Sequence, residues 1–157
     1  MTDTNIVAIS LLPELEALAP AFAREGDAGA DLTSTEQILI PAGGHRLVGT
    51  GVRIALHHGQ AGLVYSRSGL AAKEGVFVLN APGLIDAGYR GEIKVILANF
   101  SDADYLVRKG DRIAQLVIQR VETPELLILS QDEFEALPAT ERGNGGFGST
   151  GYTALVE

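Results

Sequence analysis

The sequence predicts an all-β protein of the sandwich or jelly-roll type, and three observations carry that expectation. Glycine makes up 19 of 157 residues, about 12% against a typical ~7%, and the glycines punctuate short apolar runs. Those runs are rich in Val, Ile and Leu and only four to eleven residues long. Helical periodicity is scarce, which disfavours a parallel α/β sheet.

Taken in order, strands are expected at 5–12, 36–40, 46–56, 62–66, 75–79, 92–100, 105–107, 112–120 and 126–129. The connectors His57-His58-Gly59-Gln60, Ser101-Asp102-Ala103-Asp104 and Arg108-Lys109-Gly110-Asp111 carry the Gly, Asp and Ser chemistry of hairpin turns. Helix is expected only between Pro13 and Pro20 over 13–19, as one turn at 70–74, and as up to two turns at 131–137 before Pro138. The 92–100 strand is apolar on both faces, with Ile93, Val95 and Leu97 on one and Ile96, Ala98 and Phe100 on the other. In an antiparallel protein that implies a second buried surface, as in a symmetric oligomer. The expected organisation is a β domain over 1–138 followed by a flexible glycine-rich arm over 139–157, whose segment 142–151 holds five glycines in ten residues.

Composition excludes several function classes. Zero cysteines removes disulfide scaffolds, thiol catalysis and Cys-based metal sites. The net charge of −8 repels nucleic acid, so no nucleic-acid partner is expected. No membrane partner is expected either, because no uncharged run approaches ~20 residues, and the run 54–66 has thirteen and includes two histidines. The first cation, Arg24, lies far behind the apolar 6–12 stretch, unlike a secretory leader, so a cytoplasmic location is expected. Nine of the twelve cations are Arg, the fork that suits phosphate and carboxylate oxygens.

Five segments could carry chemistry, each beside a plainer reading. Gly26-Asp27-Ala28-Gly29-Ala30-Asp31-Leu32 sets two carboxylates four apart among small residues, suited to the water shell of Mg²⁺ or to Asx turns. Arg67-Ser68-Gly69-Leu70-Ala71 stands between a strand and a helical turn, where backbone N–H groups welcome an anion. In 80–92, Asp86 could take a proton from water and Tyr89 could stack on a sugar or base; a long hairpin loop explains the same residues. Gly110-Asp111-Arg112-Ile113-Ala114-Gln115-Leu116 is a turn entering a strand, its Asp and Arg structural rather than chemical. The glycine pattern at Gly143, Gly145 and Gly148 formally matches a dinucleotide fingerprint, but only six residues follow Gly151, too few for a βα unit. With Arg142, Ser149 and Thr150 it reads instead as a phosphate-closing flap, or as a spacer.

Together the five segments resemble the trimeric deoxyuridine triphosphate nucleotidohydrolase (dUTPase) family. The likeness rests on GDAGADL at 26–32, RSGLA at 67–71, NAPGLIDAGYRGEI at 80–93, GDRIAQL at 110–116 and RGNGGFGSTG at 142–151. It implies a jelly-roll homotrimer whose active sites are shared between subunits. It implies hydrolysis of dUTP to dUMP and pyrophosphate with Mg²⁺ across the triphosphate, limiting uracil in DNA and supplying dUMP for thymidylate synthesis. Asp86 is similar to the general base on the attacking water, Tyr89 to the ring under deoxyribose, and Asn80 to the uracil-reading amide. Leu84 and Ile85 fall in the substrate-binding hairpin, and Lys94 on the strand after it. Arg67, Ser68 and Gly69 match the phosphate-holding motif, Gln115 the motif supporting it, and Asp31 the carboxylate on the metal's water shell. Arg142 matches the γ-phosphate clamp and Phe147 the lid over uracil, with Gly148 and Ser149 beside them.

Three positions depart from the family pattern. Ser66 stands where Pro is common, Leu84 where Thr or Val is frequent, and Ala81 where Ser is common. The expected reaction is in-line attack of water on the α-phosphorus, with Arg67, Arg142 and Lys94 offsetting the protein's negative charge. Two rivals are a deoxycytidine triphosphate deaminase, whose motif carries a second Ser where this chain has Gly69, and a non-catalytic β-sandwich oligomer.

Overall fold

The computed structural model describes residues 6–146. Phe147, Gly148 and Ser149 of the expected tail site lie outside the described residues. The chain divides into two units between Thr123 and Pro124, fifteen residues ahead of the 138/139 boundary that composition suggested.

The first unit holds the eleven strands found among the described residues: β1 (Ala8–Leu11), β2 (Ala30–Thr33), β3 (Ile38–Ile40), β4 (His45–Gly49), β5 (Val52–Ala55), β6 (Gln60–Tyr65), β7 (Val76–Val78), β8 (Gly83–Ile85), β9 (Lys94–Asn99), β10 (Tyr105–Val107) and β11 (Arg112–Arg120). All pair antiparallel, as β2-β11-β6-β8, β4-β9-β7, β1-β5 and β10-β3. The arrangement is jelly-roll-like, with Leu32, Val48, Val52, Val95, Leu97 and Ile113 fully enclosed in one core. The short helix α1 (Ser68–Glu74) follows β6 and ends at Gly75. The 13–19 helix shrinks to a 3-10 turn, Pro13–Leu15.

Three departures from the expected elements have physical causes. The 46–56 run is two strands, because the chain leaves the β4–β9 pair and joins β1 at a bend over Thr50 and Gly51. Gly51 has φ +66, and a Cβ there would meet the Ala17 Cβ at 2.4 Å, so only glycine fits. The bend is held by Thr50 Oγ1 donating to the Ile93 carbonyl (2.6 Å) and by Gly51 N–H donating to Glu92 Oε1 (2.8 Å). Strands β2 and β8, read from sequence as turn and loop, form because β11 and β6 offer them ladder partners. On β9 the Ile93, Val95 and Leu97 face is buried as expected; on the other face Phe100 is 85% exposed, as is Leu47 opposite Ile96 at 55%.

In the second unit the strand expected at 126–129 does not form. Leu126, Leu127 and Ile128 are exposed and have no ladder partner, and apolar content alone cannot supply one. Helix α2 (Gln131–Glu135) realises the 131–137 expectation, started by a capping box between Ser130 and Glu133. No helix among the described residues is long and apolar enough to cross a membrane.

Candidate active site

Two concave regions of the first unit collect the chemistry, and no residue lines both. The first is a groove of about 530 Å³ beside the loop that links β7 to β8 and the start of β9; Asn80, Leu84, Ile85, Asp86, Tyr89 and Lys94 all line it. Strand β8 alternates so that Gly83 and Ile85 point into the core while Leu84 faces out, which delivers Asp86 to the rim. There a tight turn closes, with Tyr89 N–H donating to the Asp86 carbonyl at 3.0 Å. The Asp86 carboxylate is exposed and has no hydrogen bond or ion pair to any described residue.

Tyr89 is held over this turn by its own hydroxyl, which donates to the Glu92 carbonyl at 2.9 Å. Its ring crosses Gly91 so closely that a Cβ there would lie 2.4 Å from the phenol oxygen and 2.6 Å from Cζ. Lys94 is steered by Glu92, Nζ to Oε2 at 3.5 Å, while the other oxygen of that carboxylate anchors Gly51. Glu92 is therefore a placing residue that the sequence reading passed over.

The second region, about 490 Å³, is lined by Arg67, Ser68, Gly69, Lys73, Arg108, Arg112 and Gln115 along with Glu74, Tyr105 and Asp111. Four cations against two carboxylates make it locally positive in a chain of net charge −8. Arg67 is the N-cap of α1 with no side chain capping the first turn, so backbone donors there stay available. Burial pushes the Tyr105 phenol above its ordinary value, Asp111 and Glu74 add to the rise and Arg108 opposes it. Tyr105 is thus a neutral O–H donor near neutral pH.

Asp31 stands behind this cleft on β2, opposite Gln115 on β11. Its buried carboxylate accepts from Arg67 Nε at 2.9 Å and from Arg112 Nη1 at 3.1 Å. Arg112, read from sequence as structural, shares Asp31 with Arg67 and reaches the same cleft. The signal for this pairing was register: had 30–33 been read as a strand, Asp31 would have been set beside the head of β11.

Comparison with known proteins decides the family. The dUTPase family profile matches residues 16–151. The chain is 50% identical to a deoxyuridine 5'-triphosphate nucleotidohydrolase of Rhodococcus erythropolis, over 100% of this chain and 93% of the relative. It is equally close, at 50%, to that of Corynebacterium glutamicum, over 98% and 100%. The chain belongs to the dUTPase family. Among solved structures, a Staphylococcus bacteriophage 80alpha dUTPase with dUpNHpp superposes with a TM-score of 0.85 at 29% identity, covering 94% of this chain and 99% of that one. The phage phi11 dUTPase of S. aureus, described with a structural Mg(II) ion, gives 0.74 at 28%, covering 81% and 98%.

Against the family pattern, Asn80, Leu84, Ile85, Asp86, Tyr89 and Lys94 come together in the groove, and Arg67, Ser68, Gly69 and Gln115 in the cleft. Arg142 lies in the second unit, where its Nε donates to the Gly145 carbonyl at 2.9 Å. The donor set fits Mg²⁺ only in one way. No cluster of three or more His, Asp or Glu exists among the described residues, so there is no all-protein cage. Asp31 keeps one spare lone pair on each oxygen after its two guanidinium bonds, enough to accept a hydrogen bond from a metal's water shell.

Proposed function

We propose that dUTP is hydrolysed here by water attacking the α-phosphorus in line, with Asp86 as the general base and the substrate lying between one copy's groove and another copy's cleft. As a dUTPase-family enzyme the chain converts dUTP to dUMP and pyrophosphate, the chemistry of a dUTP diphosphatase. The observation that carries the route is the free, exposed Asp86 carboxylate in a groove that shares no residue with the cationic cleft. In this reading a single triphosphate engages both kinds of residue across two copies, and the exposed Leu47 and Phe100 beside β9 supply apolar surface for a homotrimer.

In this arrangement the backbone of the hairpin at Leu84 and Ile85 and the Asn80 amide read uracil, whose fit excludes thymine's methyl group sterically. Tyr89 packs under deoxyribose and leaves no room for a 2′-hydroxyl. Arg67, Arg112 and the α1 N–H groups at Ser68 and Gly69 hold the phosphates, supported by Gln115 and approached by Lys94. Mg²⁺, when bound, would supply charge neutralisation for the triphosphate, and Asp31 would accept hydrogen bonds from its water shell. Asp86 takes the proton from the attacking water and pyrophosphate leaves with the β- and γ-phosphates. The arm over 139–157 closes the site, Arg142 on the γ-phosphate and Phe147 over uracil, with Gly148 and Ser149 contributing backbone and hydroxyl. We assign the enzyme to the cytoplasm, where it limits uracil in DNA and supplies dUMP for thymidylate synthesis.

The test is pyrophosphate release from dUTP and Mg²⁺ by the parent and by D86N, with the molar mass measured by sedimentation. The route predicts a trimer, and a D86N rate lower by about 10²–10⁴. A D86N enzyme as fast as the parent, or an active monomer, overturns it.

A further inference from the structure

We propose that Ser66 is a positioning residue for base selection: its hydroxyl fastens the end of β7, and with it the base-reading hairpin, to the strand end that carries the phosphate-binding turn. The inference rests on the reaction proposed above and adds to it a residue outside both lined regions.

The argument begins with backbone geometry. Leu79 N–H donates to the Ile96 carbonyl (2.8 Å) and Phe100 N–H to the Gly75 carbonyl (2.9 Å), so residues 75 and 79 turn their polar groups toward β9. Val78, opposite Leu97, therefore turns both of its own backbone groups to the far edge of β7. On that edge its carbonyl accepts from Ala81 N–H at 3.2 Å, and its N–H donates to Ser66 Oγ at 2.9 Å. Val78 is only 2% exposed, so water is a poor substitute for the hydroxyl.

What the bond holds matters for recognition. Val78 lines the groove, and Asn80 follows two residues later. The packing around them is close: a Cβ on Gly83 would lie 3.4 Å from both Asn80 Nδ2 and Val64 Cβ. Ser66 is the firmer partner. It follows β6, which is paired on both edges by β11 and β8, and precedes Arg67, which is bonded to Asp31. The hydroxyl thus sets the width of the slot in which uracil is told from thymine.

The experiment compares the parent, S66A and S66T in steady-state turnover of dUTP and dTTP, with amide hydrogen exchange read at Val78. S66A is expected to raise KM for dUTP about three- to tenfold with kcat within about twofold, the size of one lost neutral hydrogen bond. The preference for dUTP over dTTP should fall by a similar factor, and the Val78 amide should exchange faster. S66T keeps the acceptor and should restore all three. A role confined to stability would lower the unfolding midpoint of S66A and leave KM and the dUTP/dTTP ratio at parent values; that result overturns the inference, as does unchanged exchange at Val78. Should S66A fail to fold, S66C keeps the volume with a weak sulfur acceptor and is read by the same criteria. An inactive parent overturns the proposed reaction and this inference with it, whereas an active parent with an unmoved S66A overturns this inference alone.

Discussion

The groove at the β7–β8 loop and the cleft at the start of α1 use aspartate in opposite ways. In the groove, Asp86 is exposed just past the end of a three-residue strand, and its carboxylate makes no hydrogen bond or ion pair with a described residue. In the cleft, Asp31 is buried and both oxygens are taken by guanidinium groups. The carboxylate proposed to accept a proton from water is left without competitors, while the one that aligns two cations is enclosed and bonded through both oxygens. In the proposed route the same residue type is a reagent in one region and a frame in the other, and its hydrogen-bond partners decide which.

Substitutions that separate these roles sharpen the contrast. The largest effect belongs to D86N, which should keep the parent's unfolding midpoint while losing about 10²–10⁴ in kcat. Nearly as large is R142A, where loss of a guanidinium on the triphosphate should cost about 10³-fold in single-turnover rate, with dUMP binding unchanged. D31A, unlike D86N, should lower stability. It leaves Arg67 and Arg112 without their shared partner, and because these stay 25% and 53% exposed, about 1–3 kcal/mol in urea unfolding is expected rather than the larger cost of a fully buried pair. A D31A protein as stable as the parent would break the contrast.

A smaller effect is expected from G91A. The new methyl cannot share space with the Tyr89 phenol, so the ring must move. With Tyr89 packed under deoxyribose as proposed, UTP should gain in kcat/KM relative to dUTP by about tenfold in G91A, checked by competition between the two nucleotides.

The smallest effect lies in the second unit. The Ser130 hydroxyl, and then the Ser130 N–H, hold the Glu133 carboxyl below its ordinary range. A depressed folded value means that the capping contribution is present above the ordinary glutamate range and is lost as pH falls through the lower folded value. In S130A the Glu133 titration should move up toward the ordinary range, followed by carbon-13 shifts of its carboxyl, with turnover unaffected.

How far the sequence could be read varied with the kind of signal. The long runs at 112–120 and 92–100 were legible because both bury alternate apolar residues against one core. Strands β2 and β8 were hidden because Asp, Gly and Pro around them have turn chemistry, and what makes them strands is a partner far away in sequence. The apolar 126–129 segment misled for the converse reason: it has strand composition and no partner. Among site residues, Asp86, Tyr89 and Asn80 sit in one contiguous motif and were visible together, whereas Arg112 and Ser66 gained their roles from bonds to residues 81 and 12 positions away.

By itself the sequence determined which residue types were available, their order in five motifs, the strand-forming runs and a charge balance that forces cations to be gathered locally. Tertiary structure alone decided that Asp31 is shared by two arginines, that Ser66 meets Val78, and that the residues proposed to read the base and those proposed to hold the phosphates line separate hollows. The reason is physical: composition and periodicity report which groups favour burial or turning, but a hydrogen bond needs its two partners within about 3 Å, and only the paired strands bring them there.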